Sequence, residues 1–192
     1  MNHKQGFVMF ASLMMLILLS ILGLSMAKSF GMQEFVAGSQ REKVRAFEAA
    51  QSALNYAEWW LNQGNGNTGA TCSATVLFTA TVCTNAFGST TTTPPTAATA
   101  QPTYMQAVTC GSSTSYPWTT GVVFSDSLGN NLTLGSSGVG TTCVYPMFYI
   151  QYLGLSANNG YGMYQITAVG FGGNANAVAV LQSVFEFNAP VP

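Results

Sequence analysis

No proline occurs before Pro94, and the 21 residues from Phe7 to Ala27, FVMFASLMMLILLSILGLSMA, carry no charge. At helical rise that run is about 32 Å long, enough to cross the ~30 Å hydrocarbon core of a bilayer. It passes without a breaker into KSFGMQEFVAGSQREKVRAFEAAQSALNYAEWWLNQ, where apolar and polar residues alternate with helical spacing. The expectation is one helix from Lys4 to Gln63, its first third suited to lipid and its remainder to water. Gly64 and Gly66 in QGNGNTG supply the stop.

The 192 residues leave room, beyond a membrane helix, for one compact domain of roughly 130 residues. Charged residues make up 6% of the chain, and all five basic ones lie at or before Arg45. After Glu58 only Asp126 and Glu186 are charged. Nothing beyond Arg45 can neutralise phosphates, which argues against nucleic-acid binding. A body poor in charge and rich in Thr, Ser, Asn and Gly reads as an exported surface, and its low net charge favours association.

Cys72, Cys83, Cys110 and Cys143 all lie beyond the apolar run. No pair has CxxC spacing and no histidine accompanies them, so disulfides in an oxidising compartment are expected rather than a zinc set. Four cysteines allow three connectivities. Pairing Cys72 with Cys83 and Cys110 with Cys143 closes the shortest loops.

Orientation brings two rules into conflict. Lys4 and the terminal amine precede the apolar run, whereas Lys28, Arg41, Lys43 and Arg45 come after it. Counted alone, these residues put the large domain in the cytoplasm. The cysteines and the domain's composition put it outside, and we give them the greater weight. An ordinary secretory signal is the alternative for the N-terminus, with Ser25-Met26-Ala27 offering a cleavage site after Ala27. The apolar run exceeds the usual signal core of about 7–15 residues, and the residues after Ala27 have a helical pattern rather than a fresh, flexible start.

Beyond the membrane segment, Val44, Phe47, Ala50, Leu54, Ala57 and Leu61 recur at three- and four-residue steps, an apolar stripe expected to lie on a sheet. Arg41, Arg45, Glu48 and Ser52 fall on the wetter side, where Arg45 reaches Glu48 or Glu42. Gly31 and Gly38 stand one heptad apart, placed for close helix contact or for softening the helix. Trp59 and Trp60 end the helix as core and rim packing or as a docking patch.

The rest reads as strands between polar loops: ATVLFTAT, PTYMQAVT, TTGVVFS, YPMFYIQYLG, MYQITAVGF and AVAVLQSVFEF. The near-alternation of Ile166, Ala168 and Phe171, with GGNAN after it, predicts a closing antiparallel meander on the helix. TNAFGSTTTTPPTAATAQP, from Thr84 to Pro102, reads as an exposed low-complexity loop.

Enzyme chemistry is poorly supplied. His3 is the sole histidine and Asp126 the sole aspartate, so no Ser-His-Asp or Cys-His set exists in the body. Asp126 and Glu186 read as isolated acids rather than a catalytic pair. Asp126, Asn130 and Asn131 in SDSLGNNL form a tight turn, the cation loop being the less favoured alternative. No metal, cofactor or catalytic residue is expected.

The KQGF start before a long apolar helix resembles the class III leader of type IV pilins, which implies cutting after Gly6 by a prepilin peptidase and methylation of Phe7. QEFVAGSQREKVRAFEAAQSALNYAE is similar to the N-terminal signature of PilX-type minor pilins. Gln33, Glu34, Ala37, Gly38, Arg41 and the Ala46-Phe47 step fit it, as do Ala49, Ala50, Ala53, Leu54, Ala57 and Glu58; Ser39 and Gln51 depart conservatively. YQITAVGFGGNANAVAVLQSVFEF looks like the family's last strand pair. Major pilins carry a glutamate at the fifth mature position, where this chain has Ala11. PilX proteins and GspK-type pseudopilins are similar in lacking it, which implies a place at or near a filament tip.

The resemblance implies an α+β type IV pilin fold: a long N-terminal helix packed on an antiparallel β-sheet, with a single membrane-spanning segment. The expected divisions are a leader (1–6), a transmembrane half-helix (7–27), an amphipathic half-helix (28–63) and a periplasmic β-rich domain (64–192). The implied partners are other minor pilins, the major pilin, the prepilin peptidase, a tip adhesin and the inner membrane. A GspK-like minor pseudopilin of a type II secretion system is the alternative, and a secreted binding domain cut after Ala27 stands third.

Overall fold

The computed structural model describes residues 4–67, 69–72, 76–87, 105–135, 141–157 and 160–187. Helix α1 spans Lys4–Asn62. The chain divides into two compact units, Met1–Arg41 and Glu42–Pro192.

α1 stops where the sequence placed a glycine. Gly64 adopts φ +85°, the left-handed conformation of a helix-terminating residue. Its N–H donates to the Leu61 carbonyl at 3.0 Å, and the Asn65 side-chain amide donates to the Trp60 carbonyl at 2.9 Å. Two carbonyls that the last turn would leave unpaired are thus satisfied.

Nine strands come after the helix among the described residues: β1 (Gly69–Ala70), β2 (Val76–Leu77), β3 (Val82–Cys83), β4 (Gly121–Val123), β5 (Thr133–Leu134), β6 (Thr141–Thr142), β7 (Met147–Leu155), β8 (Gly162–Phe171) and β9 (Val178–Phe187). β7, β8 and β9 form the expected antiparallel meander. The other edge of β7 is shared: β4 pairs antiparallel at Met147 and Phe148, and β3 pairs parallel at Ile150 and Gln151. β2 then adds parallel to β4, and β1 parallel to β3, completing a seven-stranded sheet; β5 and β6 pair separately.

The sheet is therefore mixed rather than wholly antiparallel. Its parallel pairs are two residues long, held where crossing loops touch down rather than by long ladders. The described part of ATVLFTAT contributes Val76–Leu77, and TTGVVFS contributes β4. The described part of PTYMQAVT is not a strand. Its groups bond within its own loop, Gln106 N–H to the Pro117 carbonyl and Thr109 N–H to Ser115 Oγ, both at 2.8 Å.

The contact between α1 and the sheet also differs from the expected stripe. Ala46, Ala49, Ala50, Ala53, Ala57 and Leu61 are buried, whereas Val44 and Phe47 remain 55% and 47% exposed. Close approach explains this choice. A Cβ added at Gly170 of β8 would collide with backbone atoms of Ala46, Ala49 and Ala50, and one at Gly172 would sit 2.5 Å from the Glu42 carbonyl oxygen. Helix backbone thus lies on strand backbone, and only alanine-sized side chains fit between them. Glu42 fastens this end: its Oε2 accepts from Gly173 N–H, and its Oε1 accepts from Arg45 Nη1 at 3.1 Å.

Strand alternation gives the sheet two packed faces. Phe148, Ile150, Tyr164 and Ile166 pack with Ala53, Ala57 and Leu61 of α1. Met147, Tyr149, Val169 and Phe171 face the other way, against Trp118, Phe87 and the cysteine-bearing loops.

Candidate assembly surface

Within the first unit, the side chains from Phe7 to Met26 are exposed, Phe7 at 76%. Among the described residues this is the one helix long and apolar enough to cross a membrane. Two of its three serines are satisfied within the helix: Ser12 Oγ donates to the Met9 carbonyl at 2.9 Å and Ser20 Oγ to the Leu16 carbonyl at 2.8 Å. Hydroxyls satisfied by their own helix need no partner from lipid. Ala11 is exposed on this run and places no carboxylate there. Gly6 and Phe7 lie in the first turns of α1, and His3 lies outside the described residues. Neither Gly31 nor Gly38 has an atom within 4 Å of the position a Cβ would take, so no close contact within the chain engages them.

In the second unit the cysteines pair sequentially. Cys72 joins Cys83 with Cα atoms 5.4 Å apart, and Cys110 joins Cys143 at 4.2 Å. The first bridge is reinforced by Asn85, whose side chain accepts from Cys72 N–H at 2.8 Å and donates to the Cys72 carbonyl at 2.6 Å. The Asn85 carbonyl in turn accepts the Tyr149 hydroxyl at 2.9 Å. Burial pushes the Tyr149 phenol well above the usual tyrosine value of about 10. The two bridges tie loops across the sheet face opposite α1, the covering that the aromatic cluster needs to stay dry. The segment 88–104 of the Thr- and Pro-rich stretch lies outside the described residues.

Asp126 opens a short 3-10 turn over Asp126–Leu128, closed by Gly129 at φ +87°. Asn130 is spent on structure: its amide nitrogen donates to the Phe124 carbonyl at 2.5 Å, and its Oδ1 accepts from Leu132 N–H at 2.9 Å. Asp126 Oδ2 accepts the Tyr145 hydroxyl at 3.1 Å, and burial first, then that carboxylate, raises the Tyr145 pKa. The segment makes the expected tight turn. Among the described residues no group of three His, Cys, Asp or Glu side chains is placed to hold a metal ion. Glu186 stands apart on β9, while Glu58 of α1 accepts the Ser183 hydroxyl at 2.9 Å.

Trp59 is 55% exposed while Trp60 packs against the core, so the pair divides between rim and interior. Sequence reasoning missed Glu42, Asn85, Gly170 and Gly172 as fastening points. The GFGG run at Gly170–Gly173 was the available signal, because glycines inside and just after a strand mark close backbone approach.

Two family models match the chain. One, described as Type IV pilus assembly protein PilX C-term, covers residues 48–186; the other, described as PilX N-terminal, covers residues 5–55. Comparisons with curated proteins and with solved structures found no match.

Proposed function

The chain belongs to the PilX family of type IV pilus assembly proteins, and from that premise we propose that it is a minor pilin of the complex that primes pilus assembly and stays at the tip. The single observation that carries this reading is the bare apolar run from Phe7 to Met26 with Ala11 within it. A membrane-buried carboxylate is costly unless paired. A subunit without one enters the membrane, and later a filament core, without requiring a partner's terminal amine. Such a subunit suits the end of a filament, where one neighbour is missing.

The peptidase then cuts after Gly6, Phe7 becomes the methylated terminus, and the chain waits in the inner membrane with residues 64–192 in the periplasm. The disulfides support that compartment, since they persist where thiols are oxidised. The subunit leaves lipid when other apolar helices replace the lipid around it. Its role is structural, and its partners are other minor pilins, the major pilin and a tip adhesin.

Deletion of the gene tests the reading. Cells lacking the chain are expected to lose surface pili, with recovery by the wild-type gene and none by a Gly6→Val variant that blocks cutting. Normal piliation with failed protein secretion would favour the GspK-like pseudopilin instead.

A further inference from the structure

The two edges of the main sheet are built in opposite ways. One ends in β1 and β2, two residues each, with the Cys72–Cys83 bridge beside them. Short strands and covalent loops leave no ladder for another chain to extend. The other edge is β9, ten residues long, paired among the described residues only with β8. Its stretch from Val178 to Phe185, VAVLQSVF, has no charge, proline or glycine to guard it. Val178, Val180 and Val184 are exposed on the face away from α1, Val184 at 64%.

We infer that β9 is the acceptor for a strand added by a neighbouring chain, an inference that rests on the pilus-assembly reading for the identity of that neighbour. A second copy fits poorly. Its far edge offers only two-residue strands, so it would have to bring its own β9 in a two-fold antiparallel pair. Such a pair would set Glu186 of each copy against a β9 that has no basic residue to offer, since none comes after Arg45 in either chain.

The occupant is therefore a strand of a different subunit, and β9 specifies its chemistry. It is uncharged over about eight residues, since each bare charge set against this edge would lose water without gaining a partner. Its side chains alternate, apolar on the side of Val178, Val180 and Val184. Opposite Glu186 it carries Lys or Arg. Glu186 pairs across the ladder with Met163, and no basic residue comes after Arg45, which lies beside Glu42 at the opposite end of β8.

The test uses the full chain in its native membrane with photoreactive benzoylphenylalanine at position 180 or 184, then peptide-level identification of the cross-links. The expected result is one partner segment of the stated chemistry, with the cross-link moving about four residues along it as the probe moves. Gln182→Lys is expected to cut the yield about tenfold with unchanged circular dichroism. Glu186→Lys is expected to do the same and to be rescued by an acidic residue at the partner's basic position. Cross-links to a second copy's β9, cross-links without register, or none at all would overturn the inference. A registered cross-link to a protein outside the pilus machinery would keep β9 as an acceptor and sink the pilus reading.

Discussion

The two halves of α1 hide their hydrophobic character in opposite ways. From Phe7 to Met26 the helix carries large apolar residues, and none is buried by the rest of the chain. From Ala46 to Leu61 the buried face is almost all alanine, and every one of those positions is shut away. The difference lies in the partner. The first half is built for surroundings outside the chain, where area in contact with lipid sets the energy. The second half has a fixed partner, its own sheet, and there closeness matters more than side-chain size.

The largest expected effect tests the second half. Gly170→Val places a side chain against the backbone of Ala46 and Ala50, which cannot yield as a flexible side chain would. The domain is expected to lose more than about 4 kcal/mol and to fail to fold, read by near-UV circular dichroism and by proteolysis. If it folds with only a small drop in Tm, backbone contact is not what positions the helix.

Next come the bridges on the far side of the sheet. Replacing Cys110 and Cys143 together by serine opens a link across a sequence separation of 33 and is expected to cost about 4 kcal/mol. The same change at Cys72 and Cys83, separated by 11, is expected to cost about 3 kcal/mol. Chemical denaturation of the two variants checks the order, and membrane insertion is expected to be the same in both.

Leu18→Arg tests the first half. It should raise the cost of insertion by about 3 kcal/mol and shift the chain out of the membrane fraction. Thermal unfolding of the domain should not change, because Leu18 is exposed and belongs to the other compact unit.

The smallest effect sharpens the picture of the sheet's far face. Tyr149→Phe removes the hydrogen bond to the Asn85 carbonyl and is expected to cost about 1 kcal/mol at neutral pH. Because burial raises the folded-state pKa of Tyr149, the native state holds the phenolic proton more tightly than the unfolded chain. That contribution is complete below about pH 10 and is lost as pH climbs through the folded-state value. Denaturant midpoints should therefore fall above pH 10 in the wild type and fall less in Tyr149→Phe.

Much of the fold was legible in the sequence. The apolar run, the absence of proline and Gly64 gave the helix and its end, because those signals are local. β7, β8 and β9 were legible for the same reason: each is long enough for alternation to show. The buried face of α1 was misread at Val44 and Phe47 because hydropathy ranks them above alanine, while the contact at Gly170 rewards small size. The Glu42 clamp joins residues 131 apart, and no local pattern announces it. The two-residue strands β1, β2 and β3 carry no periodicity at all.

If the minor-pilin reading is right, the exposed half of α1 stays with the chain, beginning at Phe7, as anchor and then as filament core. Intact-mass analysis of the protein taken from membranes and from sheared pili tests that claim most directly. The predicted species starts at a methylated Phe7 and contains two disulfides. A species starting at Lys28, or one retaining Met1 in assembled pili, would contradict it.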